Sequence, residues 1–368
     1  MKNYINFKVK TSTGIIYLNR PKALNAINLE MVELYFDKLK KWQIDSSIKR
    51  VLLIGEGKAL CAGGDIKSLY LSSKESNLKK LFLKKEYALN YTISQFTKPY
   101  LSIWNGVVMG GGIGISIYGN ARLATEKVKF AMPETAIGFF PDIGGSYFLS
   151  RLSKGMGLYI SLTGHVLNAT ETLTLGLATH YQRSISIPKI QEEYINSGNL
   201  PIMKQKPLEY SEILEHQEFI KNTFHGDLIT IMEKLFRSPL PFAKKIYAHL
   251  LTRCPMSLAI TTELLKRAIN LSLKDCLKME YQLSQHIVYR NDFNEGVNNV
   301  LVSKKHNPKW NPSKINDKKL ECKSFEKYTD LYLGNKKEVP RLYHEVNERW
   351  AICIAINPTQ QFEQVSFV

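Results

Sequence analysis

The chain alternates short apolar runs with stretches that are apolar on one helical face. Residues 6–10 and 14–19 read as two strands joined by the polar turn Thr11-Ser12-Thr13. Over residues 29–42, Val32, Tyr35, Phe36 and Leu39 follow the i, i+3, i+4, i+7 spacing of one buried face, and Asn28 is placed to cap the helix. Residues 51–54 form a wholly apolar run and residues 100–104 a second short strand, as expected of strands covered on both faces. Residues 78–95 predict a long helix, 111–118 a short one, and 121–124 with 129–131 two short strands. Beyond about residue 190 the strands fade, and helical patterns occupy 211–222, 227–236, 242–252 and 258–271. Ile187-Pro188 and residues 201–207 are candidate linkers. The pattern predicts an α/β protein built from repeated strand–strand–helix units over residues 1–190, with a helical region over 191–320. Residues 321–368 form an unassigned extension with apolar segments at 331–333 and 350–356.

Composition fits a folded enzyme without choosing one. A chain of 368 residues, 44% hydrophobic and 23% charged, can bury a sizeable core. No apolar run approaches the roughly 18 residues that span a bilayer, so no membrane partner is expected. The first residues, Met1 to Phe7, lack a secretory apolar region and an Arg/Ser-rich presequence. The expected compartment is therefore the cytoplasm, or the mitochondrial matrix in a eukaryote. Cys61, Cys254, Cys276, Cys322 and Cys353 are scattered, odd in number and without a CxxC pair, which predicts reduced thiols and no zinc. The eight histidines show no ligand spacing, so no metal is expected. The net charge of +17 is spread along the chain. Lys40-Lys41, Lys79-Lys80, Lys84-Lys85 and Lys244-Lys245 read as solvated helix faces, with some attraction for a polyanionic ligand. No motif interleaves aromatic and basic residues, so nucleic acid is not the expected partner. A homo-oligomer is left open.

The chemistry concentrates in Met132-Pro133-Glu134-Thr135-Ala136-Ile137-Gly138-Phe139-Phe140-Pro141-Asp142-Ile143-Gly144, where two carboxylates stand eight positions apart among apolar residues, Gly and Pro. Burial penalises a charged carboxylate and raises its pKa, so such a pair is either neutralised or used. Upstream lie the glycine-rich Asn105-Gly106-Val107-Val108-Met109-Gly110-Gly111-Gly112-Ile113-Gly114 and Cys61-Ala62-Gly63-Gly64-Asp65-Ile66. Each has a plain structural reading. The glycines suit tight turns, Asp65 can cap a helix, Glu134 can sit in a first helical turn after Pro133, and Asp142 can cap a helix opening at Gly144. Taken together, they offer backbone N–H donors facing a carboxylate pair, the parts that carbonyl chemistry uses.

Ala62-Gly63-Gly64-Asp65, the 105–114 run and the 133–145 run resemble the crotonase (enoyl-CoA hydratase/isomerase) superfamily, and within it the 3-hydroxyisobutyryl-CoA hydrolases. The resemblance continues through Arg253-Cys254-Pro255, Met279-Glu280-Tyr281, Asp292-Phe293-Asn294-Glu295-Gly296 and Pro308-Lys309-Trp310, covering about residues 5–315. It implies a spiral of ββα units and hydrolysis of a short 3-hydroxyacyl-CoA thioester, as in valine catabolism. It also implies that Glu134 and Asp142 are catalytic and that the N–H groups of Ala62 and Gly111 form an oxyanion hole. Glu86, Gly63, Gly64, Asp65 and Gly110 would line the substrate; for Glu86 the plain alternative is a surface charge beside Lys84 and Lys85. Coenzyme A enters as part of the substrate and no cofactor is implied, while Lys22, Lys58 and Lys67 flank the turns where its phosphates would approach.

One departure from the wider superfamily matters. Hydratases carry a second glutamate three positions after the oxyanion-hole glycine, where this chain has Gly114. Hydration needs both a base and an acid. Keeping Glu134, losing its partner and adding Asp142 is the hydrolase arrangement. An acyl-CoA isomerase using Glu134 alone, and a non-catalytic or RNA-binding relative, are the competing readings.

Overall fold

The computed structural model describes residues 4–73, 76–153, 155–200 and 209–315; the extension expected over 321–368, Cys322, Cys353 and the linker at 201–207 lie outside them. Strand β1 (Ile5–Lys10) folds back on β2 (Thr13–Leu18) as an antiparallel hairpin. From there the chain repeats one move. It lays a strand into a six-stranded sheet and the next strand into a three-stranded sheet. The successive pairs are β3 (Arg50–Gly55) with β4 (Ala59–Cys61), β5 (Tyr100–Trp104) with β6 (Val107–Met109), and β7 (Ala121–Ala124) with β8 (Lys129–Ala131). With β9 (His180–Tyr181) at its edge, the large sheet has the order β1-β2-β3-β5-β7-β9, and the small one β4-β6-β8. Every pairing after the hairpin is parallel. This is the expected spiral of ββα units.

The all-apolar strands behave as their pattern predicts. In β3, Val51 and Leu53 enter the main core, while Leu52 and Ile54 enter a second cluster with Ile103, Ile187, Ile190 and Tyr194 on the opposite face. Five short to long helices connect the units: α1 (Leu29–Ile44), α2 (Ile66–Leu71), α3 (Leu78–Ser94), α4 (Gly111–Gly114) and α5 (Gly145–Leu149). The Asn28 carboxamide accepts the Met31 N–H at 2.9 Å, the cap its position implied. Helix α1 buries Met31, Val32, Tyr35, Leu39 and Trp42, with Phe36 at the margin. Helix α4 stops at Gly114 rather than continuing to residue 118, since three of its four residues are glycine and hold a helix poorly.

The C-terminal region is helical, but the stretch expected at 211–222 divides at His216 into Glu212–Glu215 and Gln217–Thr223. The later helices include Leu228–Arg237, Pro241–Leu250, Pro255–Ala268, Leu273–Ile287 and Asn291–Val297. One hydrophobic cluster runs from Ile5 through Val297 to Ile315, so these helices share the core of the spiral. Lys79 departs from its expected solvated face. It is buried, with Nζ 3.5 Å from the Val288 carbonyl and 5.3 Å from the centre of the Tyr289 ring. Among the described residues, no helix is long and apolar enough to cross a membrane.

Candidate active site

Because β4, β6 and β8 run parallel, their carboxyl ends share one edge of the small sheet, where α/β proteins commonly bind ligands. Each end delivers one sequence motif. β4 leads through Ala62-Gly63-Gly64-Asp65 into α2, β6 through Gly110 into α4, and β8 through Met132-Pro133 into a single 3-10 turn, Glu134–Ile137. Gly63 (φ +116°) and Gly110 (φ +46°) hold backbone angles that side chains rarely tolerate. The two turns touch: a Cβ placed on Gly111 would lie 3.1 Å from the Gly64 nitrogen.

The amide donors sort themselves by their hydrogen bonds. The Ala62 N–H donates to the Leu24 carbonyl at 2.9 Å, so the expectation that Ala62 supplies an oxyanion donor is corrected. Among the described residues, the N–H groups of Gly64 and Gly111 donate to no acceptor. Asp65 is also spoken for. Its carboxylate accepts the Ser68 N–H at 3.2 Å and pairs with Arg20 at 2.8 Å. Burial raises its pKa, but the Arg20 and Ser68 hydrogen bonds outweigh this and hold it below the ordinary range. Asp65 therefore braces the turn.

Two carboxyl groups lie against the Gly110–Gly111 backbone, and a third, Asp142, is near enough for its charge to act on both. Glu134 is 7% exposed, and its Oε1 would lie 3.1 Å from a Cβ on Gly110. Glu86, on α3, is 3% exposed, and its Oε1 would lie 2.3 Å from a Cβ on Gly111. Glu86 is thus no surface charge, despite Lys84 and Lys85 beside it. Asp142 is buried and accepts the Tyr87 hydroxyl at 2.7 Å. Glu134 Oε2 and Glu86 Oε1 have no partner among the described residues. Burial pushes the Glu134 carboxyl well up, and the charge of Asp142 adds to it. Burial likewise raises Glu86, reinforced by Asp142 and Glu134. Asp142 is pushed up to about 7 by burial, against the Tyr87 hydrogen bond. Each negative charge in the group thus opposes the ionisation of its neighbours.

Distant segments hold this cluster in place. Glu280, on Leu273–Ile287, accepts the N–H groups of Gly144 (2.7 Å) and Ser146 (3.0 Å) and the Ser146 hydroxyl. It caps α5 from outside, the task that Asp142 was positioned to do in sequence, and leaves Asp142 free to face Tyr87. The Cys254 N–H donates to the Thr135 carbonyl at 3.1 Å, and Gly138 lies against the Asp292 carbonyl, where a Cβ would come within 2.3 Å. Asn311 N–H in turn donates to Asp292 at 2.7 Å, and the Trp310 indole to the Thr252 carbonyl at 3.1 Å. The motifs far along the chain therefore brace the Glu134 turn and the Asp142 loop. Lys22, Lys58 and Lys67 are exposed. Among the described residues, no His, Cys, Asp and Glu group could hold a metal ion.

Tyr87, Asn90 and the bracing role of Glu280 were not read from sequence. Each had a signal: a polar group at helical spacing on an otherwise buried face. Asn90 stands four residues after Glu86, and Glu280 stands between Cys276, Leu277 and Leu283.

Residues 13–324 match the family model described as enoyl-CoA hydratase/isomerase. The mitochondrial 3-hydroxyisobutyryl-CoA hydrolase of Danio rerio is 40% identical over 325 residues, 84% of this chain and 85% of that protein. The Homo sapiens protein of the same name is 37% identical over 324 residues, 84% of each. Among solved structures, a carnitinyl-CoA dehydratase from Mycobacterium thermoresistibile superposes with a TM-score of 0.83 at 34% identity, covering 94% of this chain and 100% of that one. With the spiral fold and the three motif-bearing turns, these matches show that the chain belongs to the enoyl-CoA hydratase/isomerase family.

Proposed function

We propose that this protein hydrolyses the thioester of a short 3-hydroxyacyl-CoA, foremost 3-hydroxyisobutyryl-CoA, releasing the hydroxy acid and free CoA. The observation that carries the reading is the placement of buried Glu134 and Glu86 against the Gly110–Gly111 turn, with the charge of buried Asp142 acting on both, and Gly114 where a hydratase has its second acid. The names of the relatives at 37–40% identity support it. Their names also carry the word mitochondrial, which favours the matrix over the cytoplasm for this chain.

In the proposed reaction the thioester carbonyl sits between the N–H groups of Gly64 and Gly111. Each donor stabilises the developing oxyanion, a contribution of about 3 kcal/mol in comparable sites. Glu134, ionised, supplies the electron pair by one of two routes. It attacks the acyl carbon, expelling CoA thiolate and leaving a mixed anhydride that water then cleaves, or it takes a proton from a water that attacks instead. In both, the thiolate leaves with the C–S electron pair and takes up one proton. Asp142, held by Tyr87, keeps a second proton-accepting group beside Glu134 and raises its basicity through repulsion. Coenzyme A is part of the substrate, and the scheme uses no cofactor. The exposed Lys22, Lys58 and Lys67 are available to meet its phosphates.

Free-thiol assays on 3-hydroxyisobutyryl-CoA and butyryl-CoA, run beside crotonyl-CoA hydration, test the reading. Release should be fastest from the hydroxylated ester, with hydration at least about a hundredfold slower, the low end of what a general acid contributes. Rapid loss of the enoyl absorbance would favour a hydratase, and absence of thiol release would sink the hydrolase.

A further inference from the structure

Helix α3 presents a second polar group to the site, one turn beyond Glu86. Asn90 is 0% exposed, and neither its Nδ2 nor its Oδ1 has a hydrogen-bond partner among the described residues. A buried carboxamide left this way carries a desolvation cost of about 1–3 kcal/mol per group, so its retention calls for an occupant that the apolar residues around it do not supply. Its position is defined by α4. A Cβ on Gly114 would lie 2.7 Å from Asn90 Nδ2 and 2.9 Å from the Ile143 Cβ. The amide thus rests on the backbone of residue 114, beside the residue that follows Asp142. Any side chain at 114 would collide with it.

The two helices run in step. Glu86 stands over Gly111 and Asn90 over Gly114, four residues on along α3 and three along α4, about 4.5–6 Å further. With the thioester carbonyl at the Gly111 N–H, an acyl chain that runs along α4 toward Gly114 brings a substituent two carbons beyond the carbonyl to Asn90. We propose that Asn90 is a substrate-binding, specificity-determining residue that recognises the hydroxyl of the 3-hydroxyacyl chain. This rests on the hydroxyacyl-thioester reading above and assigns the hydroxyl to a residue outside the carboxyl cluster. A carboxamide suits the task because it both donates and accepts, as a hydroxyl does. It also adds no further charge beside three carboxyl groups. An acyl chain without the hydroxyl leaves the amide unpaired, which is how a polar pocket rejects an apolar analogue.

Equilibrium binding separates this from catalysis. Two unhydrolysable CoA thioethers, one carrying the hydroxyl and one lacking it, are titrated calorimetrically into the full chain and into Asn90→Leu. The wild type should bind the hydroxylated thioether about tenfold more tightly, the scale of one to two neutral hydrogen bonds. Asn90→Leu should erase that preference by weakening the hydroxylated ligand roughly tenfold, and the other less than about twofold. Asn90→Ser gives the same reading if the leucine variant does not fold. Equal weakening of both ligands would mean that Asn90 holds water or structure, and would overturn the proposal. So would unchanged affinities, or a wild type that binds both alike. Absence of thiol release by the wild type would overturn the hydrolase reading alone, since the binding comparison does not depend on turnover.

Discussion

At the residue scale, the charge of Asp142 opposes the ionisation of both Glu134 and Glu86, and this fixes how activity should depend on pH. In the proposed reaction Glu134 acts as a carboxylate, yet burial and the charge of Asp142 raise its pKa. Acidification protonates it, so kcat/KM should fall along an acid limb that lies above the ordinary carboxylate range. Asp142→Asn removes the repelling charge and should move this acid limb to lower pH, even as the rate on the plateau drops. A limb that stays in place would show that the two groups do not share a field. Glu134 and Asp142 were legible in the sequence because they interrupt an apolar stretch. The orientation of Glu86 was not, since Lys84 and Lys85 make its neighbourhood look solvated while the helix turns it inward. Choosing between the amides of Ala62 and Gly64 needed the Leu24 carbonyl, a contact between turns that no local pattern encodes.

At the scale of elements, the site depends on turns whose geometry is set by partners far away in sequence. Glu280 satisfies two backbone N–H groups and a hydroxyl at the start of α5. Glu280→Ala should destabilise the fold by about 3 kcal/mol, as expected when buried donors lose their acceptor. It should also lower kcat more than it raises KM, because the Asp142 loop loses its anchor, and Glu280→Gln should recover part of both. Urea unfolding and steady-state kinetics measure the two effects, and an alanine variant with the wild-type midpoint would contradict the bracing role. Strand and helix positions were largely legible from periodicity, as α1 with its Asn28 cap illustrates. Helix α4 was overextended because its apolar continuation, residues 115–118, packs as turns after the glycines. The assignment of alternate strands to two different sheets is a matter of long-range pairing and could be expected only through the resemblance.

For the molecule as a whole, the cluster is a stability cost kept in the interest of function. Glu134, Glu86, Asp142 and Glu280 all have pKa values raised above those of an unfolded chain. The folded state therefore binds more protons than the unfolded state, and stability declines as the pH rises from the ordinary carboxylate range to about 7 for Asp142 and about 8 for Glu280. Glu86→Gln should raise the Tm, and more so at pH 8 than at pH 5; an equal or opposite change would show that Glu86 is ionised and satisfied in the fold. The shared core from Ile5 to Val297 also predicts that spiral and helical region unfold together, in one transition seen alike by circular dichroism and tryptophan fluorescence. Hydrolysis as proposed depends on Glu134 supplying the electron pair, as nucleophile or as base. Its most direct test is thiol release from 3-hydroxyisobutyryl-CoA by Glu134→Gln, with circular dichroism confirming the fold. The amide keeps the shape of the side chain but has no electron pair to offer as nucleophile or base, so kcat should fall by roughly 10²–10⁴. Near-normal release by the folded variant would contradict the account.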